Sequence, residues 1–240
     1  MSPSDADFFI PQDYPRIRVV NSFEELVTTP FADGVNAMCW VRQLPGDFGE
    51  IVEKLAVGKG ITSIEDARLL ALDLSAEGRV ARDILLQDQE LLRSRELQPS
   101  LDCINEYLNE IEPELLRTDV QSWHVDSATV KADTYLCTYH GADSEGLRNE
   151  EALRRVDGPA ARAELRQLYG AADDAGFREF LHEHYLDLHY TPLPHAVPFS
   201  FGRGNLWRIA TEHPGCVVPP CIHRAPATLP GQPPRLLLIS

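Results

Sequence analysis

The sequence predicts an α+β protein in which a mainly helical first half supports a β-rich second half. Apolar residues recur at helical spacing through much of residues 47–116, whereas short β-branched and aromatic runs separated by turns dominate from residue 119 onward. A helical layer packed on a small β-sandwich or jelly roll would bury the apolar faces of both. We therefore expect a single domain over residues 1–240, with residues 1–118 as its supporting half and 119–240 as its β-rich half.

The elements of the first half follow from local patterns. Residues 1–15 are rich in proline and aspartate, which predicts an extended arm. Residues 16–20 and 34–42 are apolar with β-branched or aromatic character, which predicts strands. Helical spacing of apolar residues predicts helices over 47–56, 63–74 (beginning at Ser63), 84–97 and 101–116.

The second half reads as strands interrupted by one helical insertion. Residues 148–190 are charged and helical in pattern, with Pro159 suited to a first helical turn and Gly170 to a stop. Strands are predicted on both sides of this insertion, over residues 120–127, 134–139, 195–201, 205–210, 216–224 and 235–239.

The charge balance excludes some classes of function. The 240 residues contain 22 lysines and arginines against 37 aspartates and glutamates, a formal charge of −15. An acidic surface repels phosphate backbones, so nucleic acid is not an expected partner. No run of about 18 apolar residues predicts a membrane span, and residues 1–15 lack the basic start of a secretory signal. We expect a cytoplasmic protein whose five cysteines are reduced thiols.

One tripeptide carries a metal-binding pattern. His124 and Asp126 are two residues apart in a predicted strand, so both side chains point to one face and can reach one ion. His223, in a later predicted strand, supplies a third ligand. Two histidines and one carboxylate form the facial triad that holds non-haem Fe(II) with positions left open. The sequence therefore predicts a metal site formed by His124, Asp126 and His223.

Two further segments indicate where a cosubstrate would bind. Arg235 opens the last predicted strand, and a guanidinium can pair with a carboxylate through two parallel hydrogen bonds. One face of the strand over residues 134–139 lines the same predicted cavity, so Thr138 or a tyrosine such as Tyr139 is expected to contact the cosubstrate. Arg224 alternates away from His223 and is expected to anchor the adjacent loop or an acidic partner.

These residues resemble a known superfamily, the Fe(II)- and 2-oxoglutarate-dependent dioxygenases. More narrowly, the segments WHVDSATVKADTYLCTYHG, CIHRAP and PRLLLIS resemble an uncharacterised bacterial family with H-V-D and H-R-S-P segments. The resemblance covers mainly residues 120–147 and 205–240. It implies a double-stranded β-helix fold, Fe(II) held by the triad, 2-oxoglutarate anchored by Arg235, and hydroxylation of a substrate that the sequence does not identify.

Other interpretations remain open at this point. The same barrel could hold Zn(II) or Fe(II) without catalysis, for metal homeostasis, or could bind a ligand without any metal. Cys216, Cys221 and His223 have a spacing conceivable for zinc, although small buried thiols are favoured. His182, His184 and His189 are most simply a solvated helix face, and Trp123 and Trp207 are most simply core aromatics. Oligomeric state is not predicted.

Overall fold

The computed structural model describes residues 10–11, 13–107, 113–227 and 231–240, and these contain twelve strands and six α-helices. The strands are β1 (Ile17–Val20), β2 (Ala37–Trp40), β3 (Gly60–Ser63), β4 (Ser100–Asn105), β5 (Asp133–His140), β6 (Glu145–Leu147), β7 (Ala152–Arg154), β8 (Tyr190–Pro192), β9 (Phe199–Ser200), β10 (Leu206–Ala210), β11 (Ile222–Arg224) and β12 (Arg235–Ile239). The helices are α1 (Phe23–Thr28), α2 (Phe48–Leu55), α3 (Asp66–Leu70), α4 (Ala76–Arg93), α5 (Pro159–Tyr169) and α6 (Ala175–Glu183).

A seven-stranded sheet forms the centre of the fold, in the order β1-β2-β10-β5-β12-β4-β3. All of its pairs are antiparallel except β1 with β2. A smaller sheet has the order β11-β6-β9, and β7 pairs with β8. The described strands do not close into a barrel. The α+β class is therefore confirmed, but the first half does more than support the sheet, because it supplies four of the seven central strands.

Strand alternation divides the apolar side chains between two cores. Tyr135, Cys137 and Leu238 point from the large sheet toward the layer formed by helices α1 to α4. Leu136 and Trp207 point from the same sheet toward Phe199, Phe201 and Cys221 of the small-sheet region. The central strands of the large sheet are thus buried on both faces, whereas the edge strands β1 and β3 are partly exposed. Each fully buried leucine or phenylalanine contributes about 1.5–3 kcal/mol.

Helices α2 and α4 begin at side chains that satisfy their first backbone donors. Asp47 accepts a hydrogen bond from the backbone N–H of Glu50 at 2.9 Å, and Ser75 accepts one from Gly78 at 3.1 Å. The helix predicted over residues 47–56 is confirmed. The one predicted over 84–97 exists but begins earlier, at Ala76, because Ser75 provides the cap.

In the first half, one helix prediction is wrong and another is correct only over part of its length. The segment predicted as a helix over 101–116 begins as strand β4, and residues 108–112 lie outside the described residues. Leu101 and Cys103 face the helical layer while Ile104 faces the small sheet, so a strand buried on both sides imitates helical periodicity. Ser63 ends strand β3 rather than starting a helix, and α3 is confined to Asp66–Leu70.

The insertion over residues 148–190 is helical as predicted, with α5 and α6 at its centre. Its ends are joined by the pairing of β7 with β8, which closes the insertion onto the rest of the fold. Among the described residues, no helix combines the length and apolar character needed to cross a membrane.

Candidate metal centre

Three side chains converge at the predicted metal site. One ligand atom from each of His124, Asp126 and His223 lies within 4.8 Å of the others, and the described residues contain no other such group. The Nε2 atoms of His124 and His223 are each 3.7 Å from an oxygen of Asp126, one from Oδ1 and the other from Oδ2. Ligands that each lie about 2.1 Å from one ion are separated by roughly 3–4 Å, so the three groups fit a single metal.

Backbone pairing brings the two histidines together. The N–H of His124 donates to the carbonyl of His223 at 3.0 Å, and the N–H of His223 donates to the carbonyl of His124 at 2.9 Å. Directly opposed residues of an antiparallel pair present their side chains on the same face. The strand predicted over residues 120–127 is reduced to isolated bridges at His124 and Ser127, yet Asp126 still shares the face of His124.

Backbone carbonyls set the protonation of both imidazoles. The Nδ1 atom of His124 lies 2.8 Å from the carbonyl oxygen of Ser122, and that of His223 lies 3.2 Å from the carbonyl oxygen of Cys221. A carbonyl only accepts hydrogen bonds, so each Nδ1 carries the proton and each Nε2 keeps its lone pair. Both histidines therefore present a donor atom suited to a metal ion before any ion binds.

The charge states also suit a cation. Burial, followed by the nearby His223, lowers the pKa of His124 to about 4, so this imidazole is neutral at pH 7. Burial opposes ionisation of Asp126, but the neighbouring imidazoles and a hydrogen bond from Thr134 lower its pKa below the usual value. That hydrogen bond joins the hydroxyl of Thr134 to Oδ2 of Asp126 at 2.5 Å. The site therefore combines the neutral imidazole of His124 and the ionised carboxylate of Asp126 with the imidazole of His223.

A third histidine, His189, lies beside His124, although its sequence spacing predicts a position on a solvated helix face. His189 is 4% exposed, pairs with the backbone of His124 on the side opposite His223, and its ring centroid is 5.8 Å from that of His124. The Nδ1 atom donates to the carbonyl of Tyr185 at 2.8 Å, and burial lowers the pKa. A solvated helix face is confirmed for His182 and His184, whereas His189 forms a neutral wall of the metal site.

Arg235 is a buried cation in the region between the sheets. It is 4% exposed, and it donates to the carbonyl of Ala142 and to the hydroxyls of Tyr107, Thr138 and Ser144 at 2.6–3.2 Å. Burial lowers the pKa of its guanidinium, and no described residue forms an ion pair with it. Arg235 lines a cavity of about 420 Å³, but the lining does not include the three metal-site residues.

The two neighbouring residues expected near the cosubstrate lie on opposite faces of β5. Thr138 contacts Arg235, its hydroxyl lying 3.2 Å from a terminal nitrogen of the guanidinium. Tyr139 points to the helical layer, where its hydroxyl donates to Oδ2 of Asp88 at 2.6 Å and its ring stacks on Phe48. The expectation for Tyr139 is therefore wrong, because alternation along a strand gives only one of two adjacent residues to the cavity.

The cysteines do not form a metal site with His223. All five are free thiols, and Cys216 lies with its sulfur 2.9 Å from the carbonyl oxygen of Val218. Cys221 is buried in the core between the sheets. The favoured interpretation of small buried or half-buried thiols therefore agrees with the described residues.

Comparison of the chain with protein-family models, curated proteins and solved structures found no match. The resemblance to the dioxygenase superfamily accordingly stays a prediction. Inference about function rests on the geometry of the residues themselves.

Proposed function

We propose that the protein is a mononuclear non-haem Fe(II) oxygenase that uses 2-oxoglutarate to hydroxylate a second substrate. The convergence of His124, Asp126 and His223 carries the proposal, because both Nδ1 atoms are engaged by backbone carbonyls and both Nε2 atoms face the carboxylate of Asp126. Two imidazoles and one carboxylate leave coordination positions open, which is the donor set of the non-haem Fe(II) oxygenases.

The residues of the chain would hold and orient the metal ion and its cosubstrate, which would supply the oxidation. Fe(II) with a bound 2-oxo acid provides oxidative decarboxylation and hydroxylation of a C–H bond. His124 and His223 offer fixed lone pairs, and Thr134 restrains the carboxylate of Asp126 through its hydrogen bond. Orientation of this kind by groups behind the ligands tunes metal affinity.

The position of Arg235 supports the proposal that the cosubstrate carries two carboxylates. Thr134 contacts Asp126 and Thr138 contacts Arg235, and both threonines lie on one face of β5 because they are four residues apart. The backbone positions of the two threonines are therefore roughly 13 Å apart along the strand. A molecule with a chelating end and a free carboxylate is suited to two such anchors, and a buried guanidinium lacking an acidic partner favours an anion beside it.

The finer fold assignment belongs to the same proposal. We infer that the seven-stranded and three-stranded sheets are the two sheets of an open double-stranded β-helix. In support, a shared core lies between them and the metal ligands lie where they approach each other, since Asp126 contacts Thr134 of the large sheet while His223 belongs to the small one.

A non-catalytic metal-binding protein is the second candidate. It is favoured by the separation of the Arg235 cavity from the triad, since the residues lining that cavity include none of the three ligands. In this case the site would hold Zn(II) or Fe(II) for homeostasis, and Arg235 would have a structural role.

Turnover of 2-oxoglutarate distinguishes the two candidates. We expect the Fe(II)-loaded protein to release succinate from 2-oxoglutarate in the presence of O2, and to bind about one equivalent of Fe(II) under anaerobic conditions. His124→Ala should lose the metal. Arg235→Gln should keep the metal but lose 2-oxoglutarate binding, and the exposed Arg18→Gln serves as the matched control. Metal binding without 2-oxoglutarate binding would favour the second candidate, and unchanged metal content in His124→Ala would refute both.

A further inference from the structure

The two segments that carry the metal-site histidines also carry a second feature on their opposite face. Trp123 and Arg224 adjoin His124 and His223 in sequence, so alternation turns them away from the metal centre. The guanidinium of Arg224 lies over the indole of Trp123, 4.3 Å from the ring centroid. Arg224 also pairs with Glu145 at 2.7 Å, which confirms its expected acidic partner.

A cavity of about 510 Å³ lies between this face and helix α5. Basic side chains outnumber acidic ones in its lining, whereas the chain as a whole is acidic. The lining contains three arginines and one carboxylate, with two aromatic side chains on the wall; these residues are Arg117, Arg155, Arg224, Glu164, Trp123 and Tyr190.

The three guanidinium groups are held in place by different contacts. Arg155 is 8% exposed and donates to the backbone carbonyls of Leu115 and Arg117 at 3.2 and 2.7 Å. Arg117 pairs with Asp119, and Arg224 uses its Nε to bind Glu145. Both acids lie outside the lining of the cavity. The cavity itself therefore presents mainly guanidinium groups.

We propose that this cavity binds a small anionic molecule, independently of the metal centre. A carboxylate or phosphate group pairs with Arg117, Arg155 and Arg224, because guanidinium groups match the planar oxyanions of both. The flat or apolar part of the molecule lies against the half-buried Tyr190, whereas Trp123 is 5% exposed and holds the guanidinium of Arg224 in place. In a chain of formal charge −15, a site with this balance selects anions that the rest of the surface repels.

The proposal is tested by titrating the full chain with phenyl phosphate and with benzoate by calorimetry, with uncharged benzyl alcohol for comparison. We expect one equivalent of at least one anion to bind, with an affinity that falls as salt is raised. The more tightly bound probe identifies phosphate or carboxylate as the preferred group. Arg117→Gln and Arg224→Gln should each weaken binding by about tenfold, and the exposed Arg18→Gln should not change it.

A substitution that is expected to strengthen anion binding distinguishes a specific loss of binding from misfolding. Glu164 is exposed and is the one carboxylate in the lining, so Glu164→Gln should tighten anion binding about two- to fourfold by removing a like charge. Absence of binding to both anions would overturn the proposal, as would equal affinity for benzyl alcohol. Weaker binding in Glu164→Gln, or a loss confined to Arg235→Gln, would also overturn it.

Discussion

At the scale of single residues, the candidate metal centre depends on groups that do not touch the metal. The Ser122 and Cys221 carbonyls fix the protons of two imidazoles, and the Thr134 hydroxyl fixes one carboxylate oxygen. Groups of this kind typically change metal affinity by about 10- to 100-fold when they are removed. The hydrogen bonds that orient the three side chains can therefore be tested without changing those side chains themselves.

Thr134→Val should lower metal affinity by about 10- to 100-fold without loss of fold, because it removes the hydrogen bond to Asp126 and keeps the side-chain shape. Competition with a chelator of known affinity measures the change. Thr62→Val on the edge strand β3 is the matched control. Equal affinities for the two variants would show that Asp126 needs no support from Thr134.

The closeness of His124 and Asp126 could be predicted from the sequence because its signal is local. His124 and Asp126 share a face through the two-residue repeat of a strand, and this relation survives although only isolated bridges form there. The burial of His189 beside His124 was not predicted, and neither was the clustering of Arg117, Arg155 and Arg224 around one cavity, because the neighbours of these residues come from distant segments. His189 is 65 residues from His124, and its spacing from His182 imitated a helix face.

At the scale of elements, β5 links the functional region to the helical layer. Its inward face carries Thr134 and Thr138, whereas its other face carries Tyr139, which binds Asp88 of α4. Arg42 also pairs with Asp88 at 2.8 Å, so this buried carboxylate has two partners. The strand therefore separates the residues proposed to contact a cosubstrate from residues that stabilise the fold.

Tyr139→Phe should lower the free energy of unfolding by about 1.5–3 kcal/mol, because it removes a hydrogen bond to a buried carboxylate. Metal and 2-oxoglutarate affinities should stay unchanged, since the hydroxyl faces away from both sites. Urea unfolding and calorimetric titration measure the two quantities. A loss of 2-oxoglutarate affinity with unchanged stability would contradict this assignment and return Tyr139 to the cosubstrate site.

At the scale of the whole molecule, long-range pairing explains what local patterns could not predict. Strands β1 to β4 enter the same sheet as β5, β10 and β12, and nothing in residues 16–105 specifies those partners. Strand β4 alternates polar and apolar residues only over Ser100–Cys103, and Ile104, which is three residues from Leu101 and packs on the other face, adds a spacing that resembles a helix. The predicted class was right because composition and periodicity determine it, while the arrangement of strands depends on contacts between distant segments.

Acid should destabilise the metal-free protein through its buried histidines. Burial lowers the pKa of His124, His140 and His189 below 6.5, so the unfolded chain takes up protons first as the pH falls. The stability from neutral burial is full above pH 6.5 and is lost below it. With a folded pKa of about 4, His124 alone should account for about 1–2 kcal/mol by pH 5.

Urea midpoints at pH 7.5, 6 and 5 measure this dependence. His140→Gln should flatten it, because it removes one half-buried imidazole whose pKa burial lowers. Stability that is constant from pH 7.5 to 5 would contradict the expectation.

The position of the triad along the chain gives a bound ion a further effect. Asp126 and His223 enclose α5, α6 and strands β5 to β10. An ion that joins them closes a loop on the order of a hundred residues, and such a cross-link removes conformational freedom mainly from the unfolded chain. A chelator would therefore lower the free energy of unfolding of the whole fold, and the susceptibility of the protein to proteases would report its metal content.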